Sequence, residues 1–235
     1  MLNRRDFLKI IAGAGITIGF PSYLNAFQGL IRDLGKPQTE QKIEVPTYYL
    51  NDGKFFYLIG NPEDRDFIKS RELILSTDPF YLWSIAITDS NTLPFKPERE
   101  ESVILLPEDV SSHRCDTLIR DLRLLLHPGQ FIGIDYADIQ TALGGSTARH
   151  LFVEGDQDSF GRSLCDLASK NKSAFESCNR LLMVFSGRLD CMNLRAIHEY
   201  STFISSSVDP DAFIVYAAYY HETWKTEYSV SLIMS

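Results

Sequence analysis

The residues of this 235-residue chain whose types could carry chemistry are few, and their spacing limits what they could do. The five histidines (His113, His127, His150, His198 and His221) form no H-x-x-x-H or H-x-H pair, and His198-Glu199 and His221-Glu222 are neighbours in sequence and cannot share a helix face, so no metal centre is expected. Cys115, Cys165, Cys178 and Cys191 contain no C-x-x-C pair and read as small apolar packing residues. Gly144-Gly145-Ser146-Thr147 has the composition of a phosphate loop, but no lysine follows and a strand pattern comes next, so it reads as a turn. Ser163 and Ser186-Gly187 lack the G-x-S-x-G elbow of a serine hydrolase. Asp135 and Asp138, three residues apart before a helix, suit Asp138 to capping that helix and Asp135 to holding the turn.

Composition narrows the classes. With 44% hydrophobic and 23% charged residues the chain is globular, neither disordered, collagenous nor coiled coil. The net charge of −8 argues against a protein that grips phosphate backbones, and no nucleic-acid partner is expected. Residues 1–26 stand apart: Arg4, Arg5, Phe7, Leu8 and Lys9 precede an apolar run from Ile10 to Phe20 and a small residue at Ala26. That layout is a secretory signal, too short to span a membrane comfortably, and the paired arginines resemble the twin-arginine signal read by the translocase of the bacterial inner membrane. Gly13, Gly15 and Gly19 weaken the alternative of an amphipathic helix. Cleavage is expected after Ala26, with Leu24 in place of the usual small residue; an uncleaved anchor is the alternative. Without residues 1–26 the body carries a net charge of −10 on 209 residues.

The elements that must position these residues follow from periodicity. Residues 27–53, with Pro37 and Pro46, read as a linker, and folding is expected to begin near Lys54. Strand patterns at Phe55–Ile59, Tyr81–Thr88 and Ser102–Leu106 alternate with a helical pattern from Glu63 to Leu75, as in a parallel α/β piece. Asp89–Glu101 reads as a charged surface loop. Cys115, Leu118, Ile119, Leu122, Leu125 and Leu126 mark one apolar helix face after the capping Ser111 and Ser112, and His127-Pro128-Gly129 stops it. Beyond residue 146 come strand (147–154), helix (157–170), strand (179–186), helix (192–205) and strands 212–220 and 226–234, expected as a separate sheet. In the last strand Tyr228, Val230, Leu232 and Met234 alternate with Glu227, Ser229 and Ser231, the period of a sheet with one wet face. Tyr216, Tyr219, Tyr220, Tyr228 and Trp224 suit either the core or an interface.

Pro128-Gly129-Gln130-Phe131-Ile132-Gly133-Ile134-Asp135-Tyr136-Ala137-Asp138-Ile139 resembles the P-G-L-I-N-x-D-F-A-D-V segment of FtsZ, the bacterial tubulin homologue. The resemblance continues through Leu181–Phe185, the helix with Leu194, Ile197 and Ile204, Val208–Tyr216 and the closing Tyr228–Met234, and more weakly through Lys54–Thr88 and Ser102–Asp109. It implies an α/β fold: an FtsZ/tubulin C-terminal-like two-layer sandwich, a mixed sheet with helices, over 127–235, and a reduced remnant of the GTPase domain with its central helix over 54–126. Cys165, Cys178 and Cys191 then fall close together, paired or free. In FtsZ polymers the acids of that segment enter the neighbouring subunit's nucleotide site, so Asp135 and Asp138 are candidates for a trans-acting role, with Gly133 in place of the family's Asn.

The family's G-G-G-T-G-[ST]-G loop corresponds here to Gly60-Asn61-Pro62-Glu63-Asp64-Arg65-Asp66. One glycine remains, Pro62 lacks an N–H, and three carboxylates face the single Arg65, so GTP is not expected as a cofactor. The reading is an FtsZ-like protein without autonomous GTPase activity that acts by protein interaction in cell division or the envelope. Its expected partner is an FtsZ-like subunit or a second copy of itself; the alternative is an exported enzyme or ligand-binding protein sharing the fold. The signal places it in the periplasm, or anchored to the inner membrane facing it, although the family works in the cytoplasm. Replacing Arg4 and Arg5 together by Lys is expected to leave the chain in the cytoplasmic fraction. An unchanged location would remove the export reading in favour of a cytoplasmic one.

Overall fold

A computed structural model describes residues 48–52, 55–90, 92–125, 131–221 and 226–235, all within one compact unit, Lys42–Ser235. The signal residues, Lys54, Leu126–Gln130 and Trp224 lie outside the described residues. The elements are β1 (Tyr48–Asp52), β2 (Phe55–Gly60), α1 (Arg65–Ser76), β3 (Tyr81–Ile87), β4 (Glu101–Leu106), α2 (Ser112–Leu124), α3 (Tyr136–Leu143), β5 (Ser146–Gly155), α4 (Phe160–Lys170), α5 (Lys172–Glu176), β6 (Arg180–Arg188), α6 (Leu194–Ser205), β7 (Phe213–His221) and β8 (Tyr228–Met234).

These strands form one mixed eight-stranded sheet in the order β1-β2-β3-β4-β5-β8-β6-β7, flanked by helices. The second, separate sheet expected from the sequence is corrected: β4 pairs parallel with β5, Ser102 opposite Ser146 and Leu105 opposite Arg149, and joins the two halves. The linker is corrected too, since Tyr48–Asp52 pairs antiparallel with β2. Its polar surroundings and Pro46 hid a strand that covers the edge of the parallel portion.

Following residues across the sheet by register separates two faces. On one, α1 packs Phe67 and Ile74 against Leu58 and Leu82, while α4, α5 and α6 supply Phe160, Leu164, Phe175, Ile197 and Ile204 over Leu181, Met183, Phe185, Val230 and Leu232. The charged loop before β4 is drawn into this face. Glu101 is fully buried and accepts from Arg71 Nη2 at 2.6 Å and Nε at 2.9 Å, from Ser84 Oγ at 2.6 Å and from the Glu98 amide at 3.1 Å. Arg71 also donates to the Lys96 carbonyl and lies 4.1 Å over the Phe95 ring. Glu101 therefore starts a strand, and the loop it closes is strapped to α1.

The other face meets α2, and here the expected wet face of β8 is corrected. All seven residues of β8 are buried. Asp121, on the apolar stripe of α2 between Leu118 and Leu125, is fully buried and accepts from Ser231 Oγ at 2.5 Å and from Arg120 Nη2 at 2.7 Å and Nε at 2.9 Å. Arg120 also donates to Ser186 Oγ, which lies 2.7 Å from Ser229 Oγ. The serines of β8 alternate with apolar residues because they line a polar seam under the helix, a pattern identical in sequence to solvent alternation.

His150 of β5 completes the seam, its Nε2 3.1 Å from Ser231 Oγ. The single Ser231 hydroxyl proton goes to Asp121, so His150 donates through Nε2–H and its Nδ1 lone pair is left buried without a partner. Arg114 donates to the His150 carbonyl. Burial, and then the nearby Arg114 charge, push the His150 pKa from 6.5 down to about 3, while burial pushes the Asp121 carboxyl up against the opposing effect of Arg120 and Ser231. The neutral imidazole thus contributes stability that is complete above pH 6.5 and is lost as pH falls toward about 3; Asp121 acts in the opposite direction, since acid relieves its buried charge. His150→Gln keeps a neutral donor and removes the titration. In urea unfolding between pH 6.5 and 3 the wild type should lose more stability than this variant, the difference reaching at most roughly 5 kcal/mol. Parallel pH profiles would rule out His150 as the source.

Candidate functional site

Two places on the sheet correspond to the sequence candidates. The first is the carboxyl end of the parallel strands, where β2, β3 and β4 end side by side at Gly60, Ile87 and Leu106. Open α/β sheets bind ligands at this end, and a helix start there offers free amides to an anion. In this chain the amides of Glu63, Asp64 and Asp66 are engaged within the loop itself. Asp64 is the N-cap of α1 and accepts from the Asp66 amide at 2.9 Å, Asn61 Oδ1 accepts from the Glu63 amide at 2.9 Å, and the Asp64 amide reaches the Asn61 carbonyl at 3.0 Å. Pro62 is buried, whereas Glu63, Asp64, Arg65 and Asp66 are exposed. On the adjacent loops Asp89 accepts from the Glu108 amide at 3.0 Å. The loops at these strand ends thus carry Glu63, Asp64, Asp66, Asp89, Glu108 and Asp109, while the first loop has one cation, Arg65, an excess of negative charge that opposes a polyphosphate.

The second place is the start of α3. Asp135 is its N-cap, and with Asp138 it forms a complete capping box: Asp135 Oδ1 accepts from the Asp138 amide at 2.9 Å, and Asp138 Oδ2 accepts from the Asp135 amide at 3.0 Å. The cap proper is Asp135, with Asp138 at the third helical position. Between them Tyr136 anchors the helix, its ring 4.1 Å from Phe80 and 5.7 Å from Tyr81, and its hydroxyl donates to the Phe80 carbonyl at 2.9 Å. Phe55 and Tyr81, both beside Tyr136, begin β2 and β3. Asp135 and Asp138 therefore lie at the amino ends of the strands whose carboxyl ends carry Gly60–Asp66. A strand length separates the two candidates, and a single chain cannot bring them into one site.

The remaining candidates have structural roles. Gly144 closes α3 and Gly145, at φ +69°, turns into β5; a Cβ on Gly144 would meet the Gln140 carbonyl at 2.5 Å and the Arg99 carbonyl at 2.8 Å. All four cysteines are free, Cys115 and Cys178 buried, Cys191 half-buried and Cys165 exposed. Burial pushes the Cys115 thiol up to about 12 and raises those of Cys178 and Cys191, which disfavours their nucleophilic thiolates. Tyr219 and Tyr228 are core residues, Tyr216 and Tyr220 are exposed. No group of three or more His, Cys, Asp or Glu among the described residues is placed to hold a metal ion. The seam of Asp121, His150, Ser186, Ser229 and Ser231 went unnoticed in the sequence; its signal is an acid on the apolar stripe of an amphipathic helix.

No family model matches the sequence, and no curated protein does. Among solved structures, the chain is similar to a dimeric, empty FtsZ from M. jannaschii, with a TM-score of 0.53 and 15% identity over 75% of this chain and 70% of that one. A mutant of the same FtsZ gives 0.52 and 14% over 75% and 72%. A GDP-bound monomer of CetZ1 from Haloferax volcanii gives 0.50 and 12% over 90% and 69%. The fold is FtsZ/tubulin-like, as the segment around Asp135-Tyr136-Ala137-Asp138 implies.

Replacing Asp135 by Ala should cost about 1 kcal/mol of stability through loss of the cap, and Asp135→Ser only a fraction of that. Urea denaturation of the two variants would refute the capping role if both matched the wild type.

Proposed function

We propose that this chain is an exported FtsZ-like protein that works by protein interaction and neither binds nor hydrolyses GTP on its own. The observation that carries the proposal is the loop Gly60–Asp66. Its helix-start amides are bonded to Asn61 and Asp64, it has lost an N–H at the buried Pro62, and carboxylates outnumber its one arginine. A triphosphate placed there would have to displace tethered carboxylates while lying among further like charges.

The same reading assigns Asp135 and Asp138 to holding α3 in place, which leaves the chain with a tubulin-like body and no phosphate cradle. Export behind the signal at Arg4 and Arg5 would place that body at the cell envelope, in keeping with an interaction role. The self-association expected of an FtsZ-like protein makes a like subunit the first partner to consider.

Calorimetric titration of the purified chain with GTP and Mg²⁺ should give no micromolar binding, and a phosphate-release assay should give no turnover. Micromolar affinity, or GTP turnover by the chain alone, would overturn the proposal.

A further inference from the structure

We draw no further inference here: the strongest candidate, the open groove between α6 and β7 lined by His198, Thr202, Ser205, Ile214 and Tyr216, carries none because nothing in the structure shows what covers it.

Discussion

The carboxylate of Asp121 has no exposed surface, and the arrangement of the C-terminal half follows from the donors it requires. A buried charge must be met by hydrogen bonds and a counter-charge. Arg120, from the preceding position, reaches round to supply two bonds, and Ser231 supplies a third across the helix–sheet interface. Ser231 then draws His150 into a fixed tautomer, while Arg120 extends to Ser186 and through it to Ser229. One side chain of α2 thereby ties β5, β8 and β6 to the helix. A slip of β8 by one residue would send Ser229 and Ser231 to the other face and leave Asp121 short of a donor. The polar seam therefore specifies the position of the last strand, which apolar burial alone would leave less sharply defined.

The parallel half repeats this logic around Glu101. Its carboxylate collects Arg71, Ser84 and the Glu98 amide, and breaking such a buried pair by removing one partner typically costs roughly 3–5 kcal/mol. Glu101 also lies at the junction of the two halves. Its carbonyl accepts from the Gly145 amide, and the next residue, Ser102, meets the Tyr81 hydroxyl and donates to the Leu143 carbonyl. The turn from α3 into β5 is thus seated on the first residues of β4. The close approach of Gly144 to the Arg99 carbonyl shows why a side chain does not fit there. With that turn in place β5 continues the sheet from β4, so the two halves share one set of hydrogen bonds.

Most strands and helices were legible in the sequence because their apolar residues recur at periods of two or near 3.6, and the ends differ by only a few residues. What escaped was non-local or ambiguous in principle. β1 is five residues in a polar context, stabilised by its partner β2. The pairing of β4 with β5 depends on a turn whose neighbours are far away in sequence. The serines of β8 carry the same alternation whether they face water or a buried aspartate, and only the acid on the apolar stripe of α2 distinguishes the two. At the candidate sites Asp135-x-x-Asp138 was readable as a cap, although the residue that occupies the N-cap is the first of the pair. The burial of Glu101 was not readable, because a run of charges ordinarily marks a solvated loop and nothing local identifies the one member paired with Arg71.

Helix starts are where this architecture would hold an anion, and in this chain the two at the candidate sites are filled from within. At α1 the amides go to Asn61 and Asp64, at α3 to Asp135 with Asp138 in return. A carboxylate joined to the same loop competes with a free anion at high effective concentration, and its charge repels the competitor as well. The self-satisfied starts lie at opposite ends of the parallel strands, so the polar features of both ends are spent on local structure. What the fold leaves unsatisfied among its described strands is of two kinds: buried ring nitrogens without a partner, Trp83 Nε1 and His150 Nδ1, and the outward backbone groups of β7 at Ile214 and Tyr216, beyond the point where Ile132 pairs with Ala218.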